Sequence, residues 1–497
     1  MPRKIPAVMF SQHPDHTHKP YWHSEALIKT HDEIKECILM FKDVGAEEMM
    51  WDWEGKLADE SVVERLLTEQ AIFFQKKPLG KELFLTFRVP NPRVESGYRL
   101  GRALMVILSA RELKDTGSIS HNPVFEIILP MTETAGEIFK LQKGFKKFAK
   151  VVNTSFGKTE HKEEPIEIIP LFERVDTLLK SGNILNQYLE MYKKEFKHSP
   201  EYLRPFCARS DPSMNSGIVP TTLAIKWALS EYAKFTKKTK IPTFPIIAPG
   251  SLPFRGGLTP DTSLDFVREF AGMKTLVIQS SFRYDHNNSK VKKAVQEIIK
   301  EIATTKTEIF PDKMLPEIKK VISFFEKPYR RKVEELVPLI QRVSKYIPKR
   351  RERMQHIGLF GYSRQVGKNK LPRAIGFTAS CYSIGIPPEF LGTGKGIEEC
   401  LKNGKIDVVK NLYKNLNENL ERAGRFLRKE SIKELGLLGL LEEIESLERY
   451  TGFKFGPKTK EEIQHSKLSG KILAKIKKNQ NPSKEILEAA LLRKSLG

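Results

Sequence analysis

Only four cysteines occur in the 497 residues, Cys37, Cys207, Cys381 and Cys400, and no two of them have CxxC spacing. This scarcity excludes a disulfide framework and a cysteine-bound structural zinc, and it fits a reducing interior. No uninterrupted apolar run approaches the ~20 residues that cross a bilayer, so no membrane partner is expected. The first residues, Met1-Pro-Arg-Lys-Ile-Pro-Ala-Val-Met9, lack the apolar stretch of a secretory leader. The expected localisation is therefore cytoplasmic. Short-period repeats, linkers and low-complexity tracts are also missing. With 40% hydrophobic and 9% aromatic residues, the chain has the material for a sizeable core, which excludes a disordered polymer.

What is abundant is positive charge. Lys and Arg total 84 against 61 Asp and Glu, a net charge of +23. Such an excess suits a nucleic-acid binder, since neutralised phosphates release counterions. Here it is dispersed. Residues 316–353 carry Lys319-Lys320, Arg330-Arg331-Lys332 and Lys349-Arg350-Arg351 among Glu317, Glu326, Glu334, Glu335 and Glu352. Apolar residues recur between them at helical spacing, the mark of solvated amphipathic helices. No nucleic-acid partner is expected, whereas an enzyme with anionic substrates gains from such a field by steering.

Short apolar runs alternate with helical stretches along most of the chain. Expected strands are Glu48–Trp53, Leu83–Val89, Val124–Met131, Ile166–Phe172, Pro205–Ala208, Phe244–Ala248 and Thr275–Gln279, with an eighth at Ile357–Tyr362 or Ala374–Thr378. The early starts lie about 35 to 42 residues apart, the length of a strand, loop and helix. Continuously apolar runs suit strands covered on both faces. Eight such units predict an α/β fold, a (β/α)8 barrel, with an open doubly wound sheet as the alternative. Residues 1–394 are read as the barrel, with a helical insertion at about 286–356 between the last two strands. Residues 395–497 are read as a helical extension packed on it, in one structural unit.

A barrel gathers its chemistry on the loops that leave the strand C-termini. Those positions hold Asp52 and Glu54, Arg88, Thr132 and Glu133, Glu173 and Arg174, Arg209 and Asp211, Ser251 and Arg255, Gln279 and Arg283, and Ser363 and Arg364. Glu173 and Asp211 follow successive strands, so they form a carboxylate pair suited to a hard divalent ion. The residues alone leave open a second outcome, in which each pairs with Arg174 or Arg209. The stretch Pro249-Gly-Ser-Leu-Pro-Phe-Arg-Gly-Gly257 is a glycine-rich loop around Arg255; such backbone approaches an anion closely, and a guanidinium fork matches phosphate. Arg373 lies in a comparable setting. Near the N-terminus, His13, His16 and His18 do not have the spacing of a zinc site. His16 and His18 are expected to be solvent-exposed.

Several of these segments together resemble phosphoenolpyruvate carboxylase, specifically its short archaeal type. Ser11-Gln-His-Pro-Asp15 is similar to the T/S-Q-H-P-D motif, and Met50-Trp-Asp-Trp-Glu-Gly-Lys56 to M-W-D-x-E-G-K. Ile169-Pro-Leu-Phe-Glu173 matches P-L-F-E, and Ala208-Arg-Ser-Asp-Pro-Ser-Met-Asn-Ser-Gly217 resembles G-Y-S-D-S-x-K-D-A-G. Phe254-Arg-Gly-Gly257 looks like one half of a double R-G-G loop. Pro372-Arg-Ala-Ile375 and Phe390-Leu-Gly392 resemble the later R-A-I-P-W…W-L-G region. The order holds from residue 11 to about 394. The chain departs from the longer enzymes in having one arginine in the glycine-rich loop, and Met214 where they carry lysine. Their inhibitor-site residues find no match, so effector regulation does not carry over.

The resemblance implies that phosphoenolpyruvate and bicarbonate give oxaloacetate and phosphate, with Mg²⁺ (or Mn²⁺) on Glu173 and Asp211. It implies catalytic roles for His13 as general base and for Arg88 and Arg255 as charge clamps. Substrate binding falls to Arg209, Arg373, Gly256, Gly257, Asp52 and Glu54. Trp51 and Trp53 are open between shielding the enolate from water and packing the barrel. A homotetramer is implied as well. Another Mg²⁺-dependent barrel lyase or aldolase acting on pyruvate or phosphoenolpyruvate is the alternative enzyme reading.

Overall fold

The computed structural model describes residues 3–25, 27–54, 58–95, 97–115, 119–156, 165–348, 364–366 and 369–497. Eight parallel strands close into a barrel in chain order: β1 (Val8–Phe10), β2 (Glu48–Asp52), β3 (Phe84–Arg88), β4 (Glu126–Leu129), β5 (Glu167–Phe172), β6 (Phe206–Ala208), β7 (Ile246–Ala248) and β8 (Thr275–Ile278). The last returns to the first through Val8–Leu276, Met9–Val277 and Phe10–Ile278.

Seven strands fall where the apolar runs place them, and the eighth is corrected. Ala374–Thr378 lies within a helix, Ala374–Ser383, and Ile357–Tyr362 lies outside the described residues. The strand that completes the barrel is β1, at the start of the chain. Three residues are too few to display a period. The 374–383 segment is buried on nearly every side, so no polar stripe marks it as helical. The helices Asn288–Thr304 and Leu315–Ser344 consequently follow the last barrel strand and separate it from a small two-stranded antiparallel sheet, Arg364–Val366 with Asn369–Leu371, not from another barrel strand.

Alternation along each strand sorts the core into two layers. Met9, Met50, Ile128, Ile169, Leu171, Phe206, Ala208, Ile246 and Val277 fill the barrel interior. Phe10, Met49, Trp51, Phe87, Leu129, Phe172 and Ile278 face outward into the larger core beneath the helices. Trp51 is fully buried there, and the Trp53 ring packs 5.7 Å from that of Phe87. Both tryptophans therefore pack the shell of the barrel. The interior is closed at the strand N-termini by Arg204, whose guanidinium meets Glu48 at 2.7 Å and also pairs with Glu126.

Beyond the barrel, Leu315–Ser344 buries Ile318, Val321, Ile322, Phe325, Tyr329, Val333, Leu336, Val337, Ile340 and Val343 at helical spacing. The later helices run from Thr393 to Leu492. Two of them, Lys460–Lys477 and Ser483–Leu492, pack on Ala374–Ser383, and Leu416–Gly424 packs on the turn Pro253–Arg255. No helix among the described residues is long and apolar enough to cross a membrane.

Candidate active site

The interior alternation continues past the apolar layers at the C-terminal ends of the strands. Two residues after Met50 comes Asp52; after Thr86, Arg88; after Leu171, Glu173; and after Val277, Gln279. A pleated strand turns these side chains to the side occupied by the interior residues before them. They line a cavity of about 720 Å³ together with His13, Glu54, Arg209, Ser210, Asp211, Arg255 and Arg373. Arg373 apart, these are polar groups from the barrel strand ends and the segments that follow them, as a barrel mouth requires.

Arg88 is held as a fork. Its Nε and Nη2 donate to Asp52 at 2.9 and 2.6 Å, and its Nη1 lies 3.1 Å from Glu54. Burial opposes its charge, but the two carboxylates override this and hold the guanidinium firmly protonated. Glu54 is also 3.4 Å from Arg373, which is half-exposed at the opening. Arg88 and Arg373 thus share one carboxylate.

Glu173 is buried and accepts the Met131 amide at 2.6 Å. Met131 reaches that position with φ of 50°, a left-handed conformation uncommon outside glycine. Asp211 lies in the first turn of the helix Ser210–Ser216, where the amide dipoles favour a carboxylate. Arg174 pairs instead with Asp176, at 3.0 Å. Arg209, which also lines the cavity, donates from its Nη atoms to Ser213, Thr222 and the Phe254 carbonyl, tying that helix to the glycine-rich turn.

Arg255 is buried at the base of its loop. Nε donates to Ser210 Oγ at 3.1 Å, Nη1 to Asp15 Oδ2 at 3.1 Å and to the Gly497 carbonyl, and Nη2 to Gln279 Oε1. The glycines shape this turn. Gly256 has φ of 125°, and a Cβ there would lie 2.5 Å from Pro249. A Cβ on Gly250 would lie 2.6 Å from the Arg255 guanidinium carbon. Gly256 and Gly257 do not line the cavity, and the Gly257 carbonyl accepts from Arg422 at 3.0 Å.

His13 is half-buried in the loop after β1, with Nδ1 2.9 Å from Ser11 Oγ. Burial foremost, then the charges of Arg88, Arg255 and Arg373, pushes the imidazole down to about 3, although Asp52 pulls the other way. The ring is neutral at physiological pH. His18 is half-exposed as expected, its Nδ1 donating to Asp285 Oδ1 at 2.9 Å. The expectation for His16 is corrected: its side chain is fully buried, 2.8 Å from Ser280 Oγ and edge-on to Tyr284. The loop folds back on the residues after β8, which a histidine count in a polar stretch does not disclose.

Gly55, Lys56 and Ser363 lie outside the described residues. The cavity also takes Gln12, a member of the first motif with no role assigned to it, and Gln341, Ser344 and Ile347, which the motifs leave out. The last three come from the end of a helix far along the chain, with no local signal of their role. Glu173 and Asp211 offer hard oxygen donors in one cavity, a set that fits a divalent cation completing its shell with water and substrate. Among the described residues no group of three or more His, Cys, Asp or Glu with metal-holding geometry occurs.

The family model described as phosphoenolpyruvate carboxylase matches residues 5–497. A phosphoenolpyruvate carboxylase of Pyrococcus abyssi is 40% identical over 451 residues, 88% of this chain and 92% of that protein. That of Methanothermobacter thermautotrophicus is 37% identical over 511 residues, 99% of this chain and 100% of its own length. A bacterial enzyme of the same name, from Leuconostoc mesenteroides, is 36% identical over 94% of both chains. With a family model matched over nearly the whole chain and relatives aligned nearly end to end, this chain belongs to the phosphoenolpyruvate carboxylase family of enzymes.

Proposed function

We propose that the protein carboxylates phosphoenolpyruvate with bicarbonate, giving oxaloacetate and phosphate in a Mg²⁺-dependent (or Mn²⁺-dependent) reaction. The observation that carries this reading is the convergence of Glu173, Asp211, Arg88, Arg255, Arg373 and His13 on one cavity. Two anionic substrates must meet there, and the arginines offset the repulsion between them. Arg255 and Arg373 bind phosphate and carboxylate oxygens, and Arg88, braced by Asp52 and Glu54, presents fixed positive charge to them.

A bicarbonate oxygen attacks phosphorus as the bond to the enol oxygen breaks, leaving carboxyphosphate and the enolate of pyruvate. A divalent cation on Glu173 and Asp211 would supply charge stabilisation for the phosphoryl group and the forming enolate oxygen. Neutral His13 accepts the carboxyl proton of carboxyphosphate, which releases CO₂ and phosphate. The enolate carbon then bonds to CO₂. His13 is able to act without first losing a proton, because the surrounding arginines and burial keep it neutral. Substrate anions placed on those arginines relieve part of that electrostatic pressure and raise its basicity when it is needed.

A coupled assay tests the reading. Oxaloacetate and phosphate formation are expected to require phosphoenolpyruvate, bicarbonate and the divalent ion together. Phosphate release indifferent to bicarbonate would point to another lyase or aldolase of the same barrel class. The reading includes a cytoplasmic homotetramer, which light scattering on the purified protein checks for subunit number.

A further inference from the structure

Asp15 is the last residue of the first motif, and no role in the reaction has fallen to it. It is fully buried. Its Oδ2 receives Arg255 Nη1 at 3.1 Å, and its Oδ1 receives the Ser281 amide at 2.7 Å. Ser280 Oγ lies 3.1 Å from Oδ1, accepts the Asp15 amide at 3.0 Å and donates to the His13 carbonyl at 2.6 Å. The Asp15 carbonyl accepts the Leu496 amide at 2.8 Å. One residue therefore joins the loop of the candidate base, the guanidinium of the candidate clamp, the start of the helix after β8 and the segment at 496.

Arg255 needs such an anchor. An arginine side chain is long and has many rotamers, and only a fixed fork presents its remaining N–H group to one place. Ser210, Gln279 and the Gly497 carbonyl supply neutral acceptors, and Asp15 supplies the charged one.

We propose that Asp15 is a positioning residue for the reaction. Its carboxylate sets the direction of the Arg255 guanidinium, and its turn sets His13, so that clamp and base keep one separation over the substrate. This rests on the reading in which Arg255 holds oxygens of phosphoenolpyruvate. A purely structural Asp15 would contribute to stability and leave substrate kinetics alone.

The test is a double-mutant cycle on the full chain: Asp15→Asn, Arg255→Lys and the pair, with phosphoenolpyruvate varied at saturating bicarbonate and Mg²⁺. Each single substitution is expected to raise KM for phosphoenolpyruvate by about tenfold or more, a displacement-sized effect. Asp15→Asn is expected to add little once Arg255→Lys is present, because one acts through the other. Normal KM and kcat in Asp15→Asn beside an impaired Arg255→Lys overturns the proposal and leaves the reading of Arg255 standing. Fully multiplicative effects also overturn it. If Arg255→Lys retains normal kinetics, the reading of Arg255 fails and the proposal falls with it. Should Asp15→Asn not fold, Ser280→Ala breaks the same junction. A raised KM there supports the proposal, and unchanged kinetics overturn it.

Discussion

His13 shows how a single side chain is set by its neighbours. Burial and three guanidinium groups keep its imidazole neutral down to about pH 3, far below the ordinary 6.5. The unfolded chain takes up a proton there as pH falls below 6.5, while the folded chain does not until about 3. The native state is therefore favoured above the unfolded pKa and loses that contribution progressively as the solution is acidified. His13→Asn removes the titration. The variant is expected to lose less melting temperature than the wild type between about pH 7 and pH 4, and its oxaloacetate formation is expected to fall by about 100-fold or more. Equal acid sensitivity would place the imidazole in water, and full activity would remove it from the chemistry. The motif suggested the role proposed for this residue, but its depressed basicity was not legible, because Arg88, Arg255 and Arg373 arrive from three distant elements.

Among the elements, the glycine-rich turn depends on a support that no motif indicated. Glu389, in the short turn Pro388–Phe390, accepts the Phe254 amide and the Tyr382 hydroxyl, each at 2.6 Å. Burial raises its carboxyl from 4.5 to about 7. Its stabilising contribution is thus complete below about 4.5 and is lost as pH rises through 7, when the folded form must ionise. Glu389→Gln keeps the acceptor and removes the charge. Thermal melts from about pH 5 to pH 8 are expected to show the wild type losing stability relative to the variant, and parallel curves would contradict this. The strands themselves were readable because a doubly covered parallel strand is a continuous apolar run. β1 was not, being three residues long, and Ala374–Ser383 was misread because a helix buried all round shows no polar stripe.

For the whole molecule, barrel closure brings Asp52, Glu54, Arg88, Glu173, Arg209, Asp211, Arg255 and Gln279 to one mouth, as the order of strand ends predicts, whereas Thr132, Glu133, Arg174, Ser251 and Arg283 do not line it. Closure also exposes what order cannot give. Gln341, Ser344 and Ile347 reach the cavity through the packing of a 30-residue helix, and the Gly497 carbonyl reaches Arg255 through the packing of helices after residue 393. The net charge of +23 has the dispersed form the sequence suggested. Along Leu315–Ser344 the basic residues sit beside acids, as in Arg330–Glu326 and Lys332–Glu335, opposite a buried apolar stripe. The resulting field favours the approach of anions to a mouth that already holds Arg88, Arg255 and Arg373.

The account depends most on Glu173 and Asp211 gripping the same ion. Mn²⁺ binding, followed by electron paramagnetic resonance of the free aquo ion, tests this in the wild type, Glu173→Ala and Asp211→Ala. Saturable binding by the wild type is predicted, with affinity at least about tenfold weaker in each variant and bicarbonate-dependent oxaloacetate formation lost in both. Wild-type Mn²⁺ affinity in both variants would contradict it.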